Sequence, residues 1–355
     1  MSGKAPFVDA MMKQPTTLQL AYDTLIADLE QGNLSRWHAD ETIAVIAMGA
    51  SGHSGQAVVS LLSQAGYRAV SLTASDVLRG AVGFQPAEHY IIVSESGRSP
   101  ETIEAARRLT PGSRVGISNF PKAQIAEVID VALGLGGFED SPVYTAGYTA
   151  TLMAYALLFE KVGVLPADPN VPRIPEIVKD ALLELAPVAR AISSLVAEAT
   201  AIDVIGQGTS FASALETALM IREGLRIPTG SFETYEFLHG PMESASAGTV
   251  VLIFGDEREL AIPGSILDAG VHVVVITTAH EVPNEGHPNL TIVRLSSNLT
   301  GFVRPIIEVV FAQLLLAEAI VHKPFAIEKF IYEQPDTKIP IAGWASADDK
   351  TVPHG

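Results

Sequence analysis

The sequence predicts two tandem α/β domains related by internal duplication, each a doubly wound parallel sheet. The first observation is a repeat. Val45-Ile-Ala-Met-Gly-Ala-Ser51 matches Val204-Ile-Gly-Gln-Gly-Thr-Ser210 at an offset of 159 residues. Tyr90-Ile-Ile-Val93 recurs as Val250-Val-Leu-Ile253 at offset 160, and Arg114 to Ser118 as Val273 to Thr277 at 159. The second is alternation: short continuous apolar runs, which read as strands buried on both faces, are separated by amphipathic stretches. The third is composition, 48% hydrophobic but only 6% aromatic, so that Ala, Val, Ile and Leu fill the cores, as suits helices on parallel sheets.

The elements follow in order. Residues 1–36 read as an N-terminal helical segment and 37–170 as the first domain. In it, Val45–Met48, Val70–Thr73, Tyr90–Val93 and Val115–Ser118 are strands. Val58, Leu61, Leu62 and Ala65 recur at helical spacing between the first two. Residues 171–200, with Pro172, Pro175 and Pro187, read as a helical linker, and 201–325 as the second domain. Residues 326–355 form a tail whose end is rich in Pro, Asp and Gly. Ile306 to Val321 is the most apolar stretch. Glu308, Gln313 and Glu318 interrupt it, so it reads as a buried helix that falls short of a membrane span.

Charge and cysteine content exclude several functions. A net charge of −17, with no basic run longer than Arg107-Arg108, disfavours nucleic acid and anionic membranes as partners. Cysteine is absent, which removes disulfides and thiolate chemistry and agrees with a cytoplasmic location. The histidines His38, His53, His89, His272, His280, His287, His322 and His354 are scattered, without metal-ligand spacing. No metal and no cofactor are expected.

Two turns of the first half suit an anion. Ser94-Glu-Ser-Gly-Arg-Ser99 leaves a strand and enters a helix, with Ser99 at the N-cap and Pro100 at the first helical position. The hydroxyls of Ser94, Ser96 and Ser99, with free N–H groups at that helix start, form a natural phosphate cradle. Gly49-Ala-Ser-Gly-His-Ser-Gly55 makes a second strand-to-helix turn on the same edge of the sheet. Either could be no more than a capped turn. The spacing is GxxGxxG rather than GxGxxG, and the second strand ends in Leu72-Thr-Ala-Ser without an acid at its tip, which argues against a dinucleotide.

In the second half Phe254-Gly-Asp-Glu replaces the serine loop, so the anion site is kept in one copy only. A helix opening at Ser210 carries Glu216, Met220 and Glu223 on one face. Beyond it His239-Gly-Pro241 presents a histidine, the side chain best matched to proton transfer near neutral pH. In isolation, each could be a solvated edge or an ordinary loop residue.

Together these motifs resemble the sugar isomerase (SIS) domain proteins of flavodoxin-like fold. Within them they resemble the double-SIS isomerase portion of glucosamine-6-phosphate synthase and the related amino-sugar phosphate isomerase/deaminases and fructosamine-6-phosphate deglycases. The resemblance rests on Met12-Lys-Gln-Pro15, Gly49-Ala-Ser51, Ser94 to Ser99, Glu216 with Glu223, Glu236-Phe-Leu-His-Gly-Pro241 and Glu333-Gln-Pro335. It implies aldose–ketose interconversion of an amino-sugar phosphate, with or without deamination. Gly49, Ser51, Ser94, Glu95, Ser96, Ser99 and Glu216 would line the substrate site, and Glu223 would shuttle the proton through an enediol. His239, from the partner of a homodimer, would help open the ring. Four departures stand out: Ala50 replaces a phosphate-binding Thr, Glu95 replaces a Gln, Met220 replaces a Lys, and Lys338 is the nearest candidate for the tail lysine. With no glutaminase domain expected, the synthase reaction is not. A deglycase and a non-catalytic carbohydrate-derivative-binding protein remain alternatives.

Overall fold

The computed structural model describes residues 5–332 and 335–339. The first half runs α1 (Phe7–Gln31), β1 (Thr42–Ala47), α2 (Gly49–Gln64), β2 (Arg68–Thr73), α3 (Ala74–Arg79), β3 (His89–Val93), α4 (Pro100–Arg108), β4 (Arg114–Ser118), β5 (Val131–Gly134) and α5 (Ala146–Lys161). Three helices follow: α6 (Ile174–Glu184), α7 (Ala186–Ala191) and α8 (Ser193–Glu198). The second half runs β6 (Ala201–Gly206), α9 (Thr209–Gly224), β7 (Thr229–Glu233), α10 (Thr234–Leu238), β8 (Thr249–Phe254), α11 (Pro263–Ile266), β9 (His272–Thr277), β10 (Leu290–Arg294) and α12 (Val303–Ala319).

Each half holds a five-stranded sheet, ordered β2-β1-β3-β4-β5 and β7-β6-β8-β9-β10, so the two topologies are identical. Every pairing is parallel. The central strands are apolar throughout because both faces are covered: all six residues of Thr249–Phe254 are buried. In each sheet the strand order reverses between two neighbours, β1 and β3 or β6 and β8. Open α/β sheets bind ligands at that point, beyond the carboxyl ends of the strands.

One core runs through both halves. Helix α1 contributes Phe7, Met11, Leu18 and Leu25, all on one face by their spacing of four and seven. Gln14 on the same helix is fully buried; its Nε2 donates to Gln313 Oε1 at 2.7 Å, and Thr149 Oγ1 donates to its Oε1 at 2.9 Å. This bond pair ties α1, α5 and α12 together without leaving an amide unsatisfied.

The apolar stretch near residue 306 extends further than the sequence indicates. Val303–His322 is 20 residues long with a mean hydropathy of 1.7, which by length and composition is enough to cross a membrane. Its residues are mostly buried within the protein, and its polar members bind protein groups: Glu308 meets Ser210, Ser213 and Arg304, and Gln313 meets Gln14.

Candidate active site

The first-half cradle forms where β1 and β3 diverge. Gly49 opens α2 with φ of +55°, a left-handed conformation that places Ala50 and Ser51 in the first helical turn at the strand tip. Ser94, Glu95 and Ser96 follow β3 and are buried. Gly97 has φ of +64°, and a Cβ there would lie 2.7 Å from the Phe120 carbonyl oxygen, so only glycine lets the loop pass so close to the β4 end.

The expected role of Ser99 needs one correction. Ser99 does precede α4 with Pro100 in its first turn, but its hydroxyl makes no cap bond. It faces the cradle instead, accepting from Ser94 Oγ at 3.3 Å and from Lys338 Nζ at 3.3 Å. Lys338 is held there by a backbone clasp: Ile339 N donates to Arg98 O at 2.9 Å. The tail thus delivers an ammonium to the serine loop, although Glu333 and Gln334 of the preceding motif lie outside the described residues.

Glu95 sits at the base of this loop. It accepts from Asn119 Nδ2 at 3.0 Å and hydrogen-bonds Tyr144. Burial, and then the charge of Asp140, push its pKa up; Asn119, Lys338 and Tyr144 act in the opposite sense. Gly147 on α5 packs closely beside it: a Cβ there would lie 3.0 Å from both Glu95 Cγ and Asp140 Oδ2. Asp140 is itself spent on the start of α5, accepting from Ser141 N at 2.7 Å, Gly147 N at 2.7 Å and Thr145 Oγ1 at 2.5 Å.

The second half reaches this cradle through α9. His53 Nδ1 on α2 lies 3.0 Å from Glu216 Oε2 on α9, and a Cβ on Gly208 would lie 3.3 Å from Ser60 Oγ. As residue numbers rise on one helix they fall on the other, so α2 and α9 pack antiparallel. The C-terminal turn of α9 therefore lies at the start of α2. Glu223, half-buried in that turn, is close enough to Tyr144 for its charge to raise the phenol's pKa, which burial and then Glu95 already push well up. Tyr144 thus hydrogen-bonds Glu95 of its own half and feels the charge of Glu223 of the other.

Two site residues lie elsewhere. Glu216 is almost fully buried in the α2–α9 seam, two turns or ~10 Å of helix from Glu223. Its partner is His53, which the sequence treats as one of several scattered histidines; their separation of 163 residues hides the pair until the halves are packed. His239 ends α10 at the surface, and its ring makes no hydrogen bond or ion pair among the described residues. Tyr144, Asp140 and Asn119 carry no motif and were not anticipated; the Asp-Ser-Pro turn at 140–142 is the only local cue. Among the described residues no cluster of His, Asp and Glu could hold a metal ion.

Fold and site together define a two-domain α/β protein with a polar cradle at one switch point, closed by a helix from the other domain. The SIS domain model matches residues 195–323, within the second half, and the two five-stranded parallel sheets of identical topology fit two tandem SIS-type, flavodoxin-like domains. Glutamine–fructose-6-phosphate aminotransferase of Sulfurisphaera tokodaii is 22% identical over 248 residues, covering 69% of this chain. The chain spans only about two fifths of that relative's length, 42%. Two solved structures share the fold. The C-terminal domain of the glucosamine-fructose-6-phosphate aminotransferase of Francisella tularensis has a TM-score of 0.76 and 16% identity, covering 91% of this chain and 98% of that one. Glucosamine-6-phosphate deaminase of Thermotoga maritima has a TM-score of 0.73 and 16% identity, covering 93% and 98%.

Proposed function

We propose that this chain is a phosphosugar isomerase-type enzyme that acts on an amino-sugar phosphate, with Glu223 as the base. The observation that carries the reading is the antiparallel packing of α9 on α2, which brings the end of α9 with Glu223 to the start of α2 in the first half, near Tyr144, which hydrogen-bonds Glu95 of the serine loop. The names of the relatives support the substrate class: they are an aminotransferase of fructose-6-phosphate and a deaminase of glucosamine-6-phosphate.

The phosphate is bound by Ser94, Ser96 and Ser99 with the Ser51 hydroxyl, and Lys338 offsets the nearby Glu95 charge. Glu223 removes the proton from the carbon next to the carbonyl and returns it to the neighbouring carbon through an enediol. In a deaminase or a 6-phosphofructosamine deglycase the same proton step, taken from the amine-bearing carbon, gives an imine; water then adds to it and the C–N bond breaks, releasing the amine and leaving a carbonyl. The exposed His239 is assigned to the partner of a homodimer, where it assists ring opening in the partner's site. The functional location of such an enzyme would be the cytoplasm.

The test is a screen of glucosamine-6-phosphate, fructose-6-phosphate and 6-phosphofructosamines for isomer formation and amine release, repeated with Glu223→Gln. Conversion of at least one compound that vanishes in the variant supports the reading. Conversion undiminished in the variant contradicts the assigned base.

A further inference from the structure

The duplication builds a second crevice, at the β6/β8 switch point. A cavity of about 280 Å³ opens there, and its lining includes Gln64, Gln207, Thr209, Asp256, Glu257 and Arg304. The repeat register relates it to the first site residue by residue. At offset 159, Gln207, Gly208 and Thr209 stand where Met48, Gly49 and Ala50 stand, and Gln64 is the counterpart of Glu223. At offset 160, Asp256 and Glu257 replace Ser96 and Gly97. The antiparallel packing of α2 and α9 makes this exchange reciprocal: each helix ends over the other half's crevice.

The replaced residues change what such a site can do. An amide at Gln64 cannot take a proton from carbon, so the chemistry of Glu223 is missing. Carboxylates in place of a serine and a glycine repel a phosphate. The cation cannot compensate for them: Arg304 Nε donates to Glu308 Oε1 at 2.8 Å, and its Nη1 is bonded to Asp256. Asp256 is otherwise saturated by Thr277 and Thr278, at 2.6 to 2.8 Å. What is left for a ligand is the exposed Glu257 carboxylate, the Gln207 amide, the Gln64 carbonyl, the Thr209 hydroxyl and Arg304 Nη2, which has no bond among the described residues. That set of donors and acceptors, with a surplus negative charge, suits hydroxyl groups and an ammonium.

We infer that the second crevice is a non-catalytic binding site for an unphosphorylated amino sugar. Calorimetric titration with glucosamine tests this, using the wild-type chain, a Gln207→Ala/Glu257→Gln variant and a Ser96→Ala/Ser99→Ala variant. Gln207 and Glu257 are both exposed, so the first variant keeps its fold, which a thermal melt verifies. Glucosamine is expected to bind the wild type and the serine variant alike and to bind the Gln207/Glu257 variant at least tenfold more weakly. Failure of millimolar glucosamine to bind the wild type overturns the inference. So does loss of binding in the serine variant with retention in the other, which would place the sugar in the first cradle. Binding is read without turnover, so an inactive first site would leave the outcome of this test intact.

Discussion

The two halves share one topology but treat charge in opposite ways at their switch points. The first half lines its crevice with three serine hydroxyls and a lysine brought in by the tail, with Glu223 of the other half near Tyr144 beside them. The second half lines the equivalent crevice with an ion-pair network. There Asp256, Arg304 and Glu308 satisfy one another, and Ser210 and Ser213 are turned inward onto Glu308 at 2.7 and 2.6 Å. Duplication thus allowed one copy to stabilise the junction with α12 while the other kept the cradle.

Making the halves alike should be most costly at Glu223. Glu223→Gln gives the first site the amide of the second, and turnover should fall by about 10²–10⁴-fold, the usual value of a positioned base. Steady-state kinetics read this directly. Arg304→Met attacks the second half instead, leaving Asp256 and the fully buried Glu308 uncompensated. Breaking a buried pair from one side costs about 3–5 kcal/mol, so chemical denaturation should show a loss of that order.

Smaller effects sharpen the contrast at the first cradle. Ser96→Ala removes one hydroxyl from the anion, and hydrogen bonds to charged groups contribute about 1.5–3 kcal/mol, so phosphosugar Kd should rise roughly 10- to 100-fold with the fold intact. Glu95→Gln should act through pH. Burial holds the native Glu95 carboxyl above its ordinary range, so the folded chain binds that proton more tightly than the unfolded one. Its contribution to stability is therefore present at low pH and lost as pH rises through the folded value. Thermal melts between pH 4 and 8 should show the variant gaining on the wild type as pH rises, with the difference closing toward pH 4.

Asp256 follows the opposite sign. Hydrogen bonds from Arg304, Thr277 and Thr278 outweigh burial and hold it below the usual carboxylate range. Its stabilising effect is present above the unfolded pKa and lost on acidification through the folded one. Asp256→Asn should thus lower stability at neutral pH and flatten the acid limb of the same melts.

Much of this organisation was legible in the sequence because it is local. The strands of both halves are continuous apolar runs, and their recurrence at offsets 159 and 160 announced the duplication. The serine loop was legible for the same reason, since Ser94 to Ser99 and Pro100 occupy consecutive positions at a strand–helix junction. What escaped depends on packing between distant segments. The His53–Glu216 pair, the Gln14–Gln313 bond and the clasp of Ile339 on Arg98 join residues 163 to 299 positions apart. The Ser99 hydroxyl was expected to cap α4, but a lysine 239 positions away competes for it. Tyr144 and Asp140 sit in a loop without periodicity, and Tyr144 gains its place from its hydrogen bond to Glu95, 49 positions away, and from the docking of α9.

The central claim is that Glu223 moves a proton on carbon while the serine loop holds the phosphate. Proton exchange in D₂O, followed by NMR on glucosamine-6-phosphate or fructose-6-phosphate with the wild type and Glu223→Gln, tests it most directly. Deuterium should enter at the carbon beside the carbonyl with the wild type, and the variant should bind the phosphosugar yet show no exchange above background. Equal exchange in the variant would contradict the account.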